Sequence, residues 1–303
     1  MKSLELNPMY DAPSSWWQHV PIAHFLIEAI KPKKVVELGT HYGVSFFSFC
    51  EAAEKYSMET FVYAIDTWEG DLQAGYYKDE VYEKVKKYRD KYHKQRSELI
   101  RSKFNDALDY FADKSIDLLH IDGFHTYTAV SEDYNSWKVK LKSDGTILFH
   151  DINVRKEDFG VWKLWEEIKN DSEFTCIELM NGYGLGIATK GCTSPKWHEV
   201  LKENMTAFIS KGSLLEILAE NRSRIIEADN RISNMGKHIE NLELMNKDKE
   251  EQLIRAGEAL EQIRAIKDYR RKKIKEVLSQ LNRLKKAIRG IWKGLKQGIG
   301  IDI

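Results

Sequence analysis

Residues 35–43 read VVELGTHYG, a short β-branched run that breaks into glycine. β-branched side chains favour strands, and glycine at a strand-to-helix turn lets another group approach the backbone closely. A helix-like stretch follows at 44–55. The same grammar then repeats along the chain. FVYAID (61–66), ELIRS (98–102), IDLLHID (116–122) and TILFHD (146–151) read as strands, with helical stretches at 16–30, 78–93, 127–141 and 160–169. FTCIEL (174–179) and GLGIAT (184–189) close the region, with Asn181-Gly182 between them. That dipeptide is a hairpin signal, so the final strand is expected to run antiparallel. Alternating strands and helices predict an α/β fold: seven strands in a mostly parallel sheet with helices on both faces.

The grammar changes after the GCTSP stretch at 191–195. All five prolines lie at or before Pro195, and the sequence beyond Trp197 is polar and rich in helix formers. The expected division is a domain at 1–193, a linker or short helix at 194–213, and a long helical coiled coil at 214–296. From Leu218, every seventh residue gives Ile225, Ile232, Ile239, Asn246, Leu253, Leu260, Lys267, Ile274, Leu281, Ile288 and Leu295. An apolar repeat of that length is the signature of a coiled coil. Asn246 at a core position would favour a parallel dimer in one register.

The 47 basic and 47 acidic residues cancel, but not evenly along the chain. Residues 264–296 hold 13 Lys or Arg against Asp268 and Glu276, a net +11. A basic amphipathic end can lie on an anionic membrane surface, or be an ordinary solvated coil end. It would also attract phosphate, but the sequence has no base-reading module, so nucleic acid ranks low as a partner. Cys50, Cys176 and Cys192 show no paired spacing, which fits free thiols in a reducing compartment. The sequence has no apolar leader and no apolar run of 18 residues. The expectation is a cytoplasmic protein, with peripheral contact at a membrane as a variant of it.

Two groups of residues carry candidate chemistry. Glu37, Gly39 and Gly43 stand at the first strand-to-helix turn, and ligands of open α/β sheets bind at such strand ends. The spacing G-x-x-x-G is not the dinucleotide fingerprint, which argues against a nicotinamide cofactor. Asp66 ends the second strand, where a carboxylate can take both hydroxyls of a ribose or simply cap a helix. Asp106 stands where it could meet an adenine amino group or start a helix. The second group is Asp122 and His125 after the fourth strand, with His150 and Asp151 after the fifth. If those strands are neighbours, two carboxylates and imidazoles converge. Asp122, His150 and Asp151 could then hold Mg²⁺, or Mn²⁺ if the histidine is a ligand. His125 is a candidate general base at neutral pH. Each residue alone also has a structural reading as a cap or a paired core histidine.

These segments carry a resemblance. VVELGTHYGVSFFSFC, YAIDTWEGD, SIDLLHIDGFHTYTAVSEDYNSWKVKL and GTILFHDINVRKEDFGVWKLWEEI resemble bacterial class I methyltransferases found beside, or fused to, glycosyltransferases. They are similar to metal-dependent O-methyltransferases of macrolide sugars. The resemblance covers about Trp16 to Ala188 and implies a Rossmann-like domain that binds S-adenosylmethionine through Glu37, Gly39 and Asp66. It implies that Asp122 and His125 are metal ligand and base, acting on a sugar hydroxyl of a polysaccharide or glycoconjugate. The relatives carry two acidic ligands where this chain has His150-Asp151, which leaves the metal open. Trp68, Asp71, Tyr76, Asn153, Arg155 and Phe159 are expected to wall the acceptor pocket. The competing readings are a coiled-coil scaffold built on a degenerate domain, and an O-methyltransferase of small molecules.

Overall fold

The computed structural model describes the chain except residues 1, 74, 78, 157, 192, 245–248 and 300–303, and leaves the side chains of 239–253 and 290–303 undescribed. Asn246, expected at a core position of the coil, lies outside the described residues, as does Cys192. Among the described residues nine strands and eight α-helices follow in chain order: α1 Val20–Ile30, β1 Lys34–Leu38, α2 Val44–Lys55, β2 Phe61–Asp66, β3 Gly70–Asp71, β4 Gly75–Tyr76, α3 Glu80–Tyr92, β5 Ser97–Arg101, β6 Ile116–Ile121, α4 Tyr127–Trp137, β7 Leu141–His150, α5 Val161–Lys169, β8 Phe174–Leu179, β9 Leu185–Lys190, α6 Lys196–Glu203, α7 Met205–Leu244 and α8 Lys249–Ile299.

Seven strands form one sheet in the order β5-β2-β1-β6-β7-β9-β8. The first five pair in parallel; β9 runs antiparallel to both β7 and β8. The hairpin turns at Gly182, whose φ of 59° is left-handed. The order reverses between β1 and β6, so the crevice for a ligand opens beyond their carboxyl ends. β7 starts at Leu141, five residues before the run that marked it in the sequence. The Lys142–Asp144 stretch is polar and exposed or half-buried, so periodicity alone had assigned it no strand.

Alternation along the strands builds two cores. Val36, Leu38, Leu119, Ile121, Ile147 and Phe149 meet Trp137 and Trp165 on the α4–α5 side. The other face carries two polar residues in register, Glu37 opposite His120. Both are fully buried, which is costly without partners. The Glu37 carboxylate pairs with His120 Nδ1 at 2.9 Å, and the Trp16 indole N–H donates to His120 Nε2 at 3.2 Å. Pro21, in the first turn of α1, fits a helix start because its missing N–H costs nothing there. It separates a preceding 3₁₀ turn, Ser15–His19, from the α-helix expected to begin at 16.

Residues 1–212 form one compact unit and 213–303 a second. The segment 194–213, expected as a linker or short helix, supplies α6 and the first turns of α7, anchored by Phe208 against Phe25 with ring centroids 5.2 Å apart. Among the described residues the heptads fall on two helices, α7 as far as Leu244 and α8 from Lys249. Asp229 of α7 pairs with Arg270 of α8, and Arg224 lies near Lys273. The two helices therefore run antiparallel, and the apolar repeat is spent partly within the chain. Ala256 and Val277 are buried, whereas Leu260 and Ile274, core positions of the expected register, are exposed.

His24 and His198 are buried in the first unit. Burial, reinforced by the Lys211 charge, lowers the His24 pKa to about 3. Burial and Lys202 lower His198 to about 4. Both folded-state values lie below the unfolded value near 6.5, so the unfolded chain binds more protons in that window. Their neutral forms fit the fold above pH 6.5, and stability is lost as pH falls from there toward 4 and 3. Thermal unfolding should shift to lower temperature between pH 7 and pH 5. His24→Leu should flatten that dependence by an amount on the order of 2 kcal/mol at pH 5.

Candidate active site

A cavity of about 560 Å³ opens over the carboxyl ends of β1, β2, β6 and β7. Its first half is built by the turns after β1 and β2. Gly39 has φ 86°, and a Cβ there would lie 2.0 Å from the Asp122 carbonyl oxygen. Only glycine permits that approach. Asp66 ends β2 with its carboxylate turned to the β1 turn. Its Oδ2 accepts the N–H groups of Thr40 and His41, each at 2.8 Å, and its Oδ1 accepts that of Trp68 at 2.7 Å. Both the capping reading and a ligand-facing position hold for Asp66, since it also lines the cavity. The Thr40 hydroxyl is buried without a partner beside it.

The second half gathers Asp122, His125 and Asp151, whose donor atoms all lie within 4.8 Å of one another. β6 and β7 are neighbours, so the residues after them meet as the sequence suggested. His125 Nε2 lies 2.8 Å from Asp151 Oδ2 and 3.6 Å from Asp122 Oδ1. Its Nδ1 lies 2.8 Å from Gln73 Oε1, which also accepts the His125 backbone N–H at 3.0 Å. Phe159 stacks on the ring at 4.9 Å and 10°. Burial alone would lower the His125 pKa, but hydrogen bonds to Asp122 and Asp151 outweigh it and raise the value to about 9. With acceptors on both nitrogens, the ring is an imidazolium at neutral pH. It is not the neutral base expected from the sequence until something displaces the Nε2 proton.

His150 stands behind this triangle rather than in it. Its ring is buried, and Nδ1 reaches Asp151 Oδ2 at 3.2 Å and Asp122 Oδ1 at 3.3 Å. Burial opposes its charge, but the two carboxylates prevail and lift it to about 10. The same charge holds Asp122 and Asp151 below the usual carboxylate range, against the upward pull of burial. Two carboxylates thus face two imidazoles, each pair favouring the charged form of the other. Among the described residues the cation-capable group is Asp122, His125 and Asp151; His150 orients the carboxylates and is not one of its ligands.

Other expected positions divide in the same way. Asp71 and Phe159 line the cavity. Glu37 does not, because its carboxylate is committed to His120 beneath the sheet. Gly43, with φ 85°, caps α2 against the Phe47 ring. Asp106 is exposed in a 3₁₀ turn away from the cavity, whereas the neighbouring Phe104 lines it. Trp68 is fully buried, its indole bonded to the His41 carbonyl at 3.0 Å. Tyr76 is exposed on β4. Asn153 donates to the Met180 carbonyl, and Arg155 packs on Trp162 at 4.5 Å, so both brace the wall from outside. Gln73 and Tyr77 also line the cavity, and no pattern in the sequence marks either one. Both sit in the loop carrying β3 and β4, where neither period applies. His41, Trp68 and Asp151 have φ of 49°, 53° and 63°. Left-handed conformations cost non-glycine residues about 1–2 kcal/mol each and cluster where a surrounding site enforces them.

Residues 36–152 match the profile of a family described as a methyltransferase domain. The match runs from β1 to the turn after β7, the part of the chain that carries the cavity. A curated relative, the uncharacterized protein y4gI of Sinorhizobium fredii, is 43% identical over 159 residues, covering 52% of this chain. The chain spans 17% of that relative's length. Among solved structures, it is similar to a putative caffeoyl-CoA O-methyltransferase from Staphylococcus aureus, with TM-score 0.47 and 18% identity over 61% of this chain and 86% of that one. It is also similar to the O-methyltransferase TomG from Streptomyces achromogenes, with TM-score 0.44 and 13% identity over 62% of this chain and 85% of that one.

Gly39→Ala tests the turn on which both halves rest. The left-handed φ and the contact with the Asp122 carbonyl act together. Urea unfolding should show a loss of more than about 2 kcal/mol. In the same assay Gly257→Ala on α8, where nothing lies within 4 Å of a new Cβ, should gain up to about 1 kcal/mol.

Proposed function

We propose that this protein is an S-adenosylmethionine-dependent O-methyltransferase acting on a sugar hydroxyl of a surface polysaccharide or glycoconjugate. The observation that carries the O-transfer reading is the Asp122–His125–Asp151 triangle. It stands in the same cavity as Gly39, Thr40 and Asp66, so an acceptor oxygen and a cofactor can meet there. The sugar class rests on the sequence resemblance.

The residues present fit the cofactor. A carboxylate has about four acceptor sites, and Asp66 spends three on backbone amides, leaving capacity for a ribose hydroxyl. Thr40 adds the unpartnered hydroxyl, and Phe104 offers an aromatic wall for a purine. The bound cofactor supplies a methyl group made electrophilic by its sulfonium. Asp122 and Asp151 accept the acceptor's O–H and hold it over the crevice. Gln73 holds Nδ1 of His125, so Nε2, once its own proton has passed to solvent, is the nitrogen that takes the acceptor's proton. Phe159 keeps the ring flat in that orientation. Holding two reactants in line is worth about 7–11 kcal/mol, more than the roughly 3–5 kcal/mol of base catalysis.

The carboxylates of Asp122 and Asp151 also fit Mg²⁺ or Mn²⁺, with water and acceptor oxygens completing the shell and His125 Nε2 kept for the proton. A divalent cation there would act as a Lewis acid on the acceptor oxygen and neutralise the charges that hold the proton on His125.

Calorimetric titration should show S-adenosylmethionine binding to the purified chain, and Asp66→Asn should weaken it about tenfold or more. No binding by the wild type would reject the methyltransferase reading in favour of a scaffold. His125→Ala should cut turnover on a glycan acceptor by about 10²–10⁴-fold with cofactor affinity within twofold. Unchanged turnover would remove His125 from the chemistry.

A further inference from the structure

The second unit carries a surface that the methyltransferase reading does not use. On α8, Arg264, Lys267, Arg271, Lys275, Lys285 and Arg289 are all exposed. At 100° per residue they fall on one side of the helix, within about 50° of a common direction. Val277, buried toward α7, lies roughly 105° away from that direction. Leu260, Ile274 and Leu278 share the stripe and are 49%, 39% and 51% exposed. The acids of the same stretch point elsewhere. Glu276 pairs with Lys273, and Asp268, the nearest, sits roughly 75° round the helix from the stripe's centre. None of the six cations pairs with a carboxylate among the described residues. The stripe runs for roughly 38 Å at 1.5 Å per residue.

We propose that this stripe docks the protein on an anionic phospholipid surface. Charge decides against a second copy of the chain, because two such stripes would face each other cation to cation. An anionic partner is required, and the interleaved aliphatics distinguish among anionic partners. A nucleic acid backbone uses the cations and leaves Leu260, Ile274 and Leu278 in water. A bilayer interface takes both, with the aliphatics entering the acyl boundary and the lysines and arginines staying among headgroups. No helix among the described residues is long and apolar enough to cross a membrane, so the contact is one of lying on the surface. This inference is independent of the methyltransferase reading.

The test is sedimentation of the full chain with vesicles of phosphatidylcholine alone and with 30% phosphatidylglycerol (about that fraction suffices for a surface potential). Binding should favour the anionic vesicles by about tenfold or more. Replacing the six cations by Gln should weaken it about 100-fold or more. Leu260→Ser with Ile274→Ser and Leu278→Ser keeps the charge. It should remove the fraction that survives 0.5 M salt, an ionic strength of about threefold the physiological value. Circular dichroism checks that each variant keeps its helices. If a variant loses them, the wild-type salt titration decides, and binding abolished outright by salt overturns the proposal. So does equal binding to neutral vesicles, indifference to the serine variant, or tighter binding to single-stranded oligouridine than to anionic vesicles.

Discussion

The close approach of the turn after β1 to the turn after β6 is the constraint on which the site depends. Gly39 donates its N–H to the Ile65 carbonyl, and Asp122 donates to the Leu38 carbonyl, both at 2.9 Å. Three strand ends are thereby sewn together in the plane of the sheet. A side chain at Gly39 would occupy the Asp122 carbonyl. With it absent, the two halves of the cavity sit at an offset set by the sheet register, to which the β3–β4 loop adds Gln73.

Electrostatics completes what the register begins. Asp122 and Asp151 would repel each other if left alone in a partly closed cavity, and their desolvation would be costly. His150 from behind and His125 from the front favour the charged form of both. Of the four groups, His125 and the carboxylates reach the cavity. Both imidazoles meet the same two carboxylate oxygens, Asp151 Oδ2 and Asp122 Oδ1, so the front and the rear of the cluster are linked. Asp151 accepts a left-handed backbone to take its place in it.

Much of this was legible in the sequence, for a physical reason. Strands buried on both faces read as β-branched and apolar runs, and β1, β2 and β6 are of that kind. The acids that follow them could be assigned to one rim because consecutive parallel strands end on the same side. What could not be read were the destinations of side chains. Nothing in the spacing distinguishes Glu37, turned beneath the sheet to His120, from Asp66, turned into the crevice. Gln73 was invisible because its loop has neither strand nor helix period. The heptad spacing does not say whether a helix's partner is another chain or the same chain folded back. The exposed core positions Leu260 and Ile274 show how a folded-back hairpin leaves part of a heptad unspent.

The three amides gathered by Asp66 have a consequence for how relatives of this protein are compared. A residue that holds the scaffold together is retained by selection for foldability alone, even after a lineage has lost the reaction. Gly39 and Asp66 are both of this sort, so their persistence in a homologue records common ancestry and not activity. Gln73 and His125 are different. They contact each other at the cavity rim and support no strand or helix, so under the proposed O-transfer reading a lineage freed from catalysis would let them drift first. Orthologues and decayed copies should therefore separate at these two positions while remaining indistinguishable across the glycine turn.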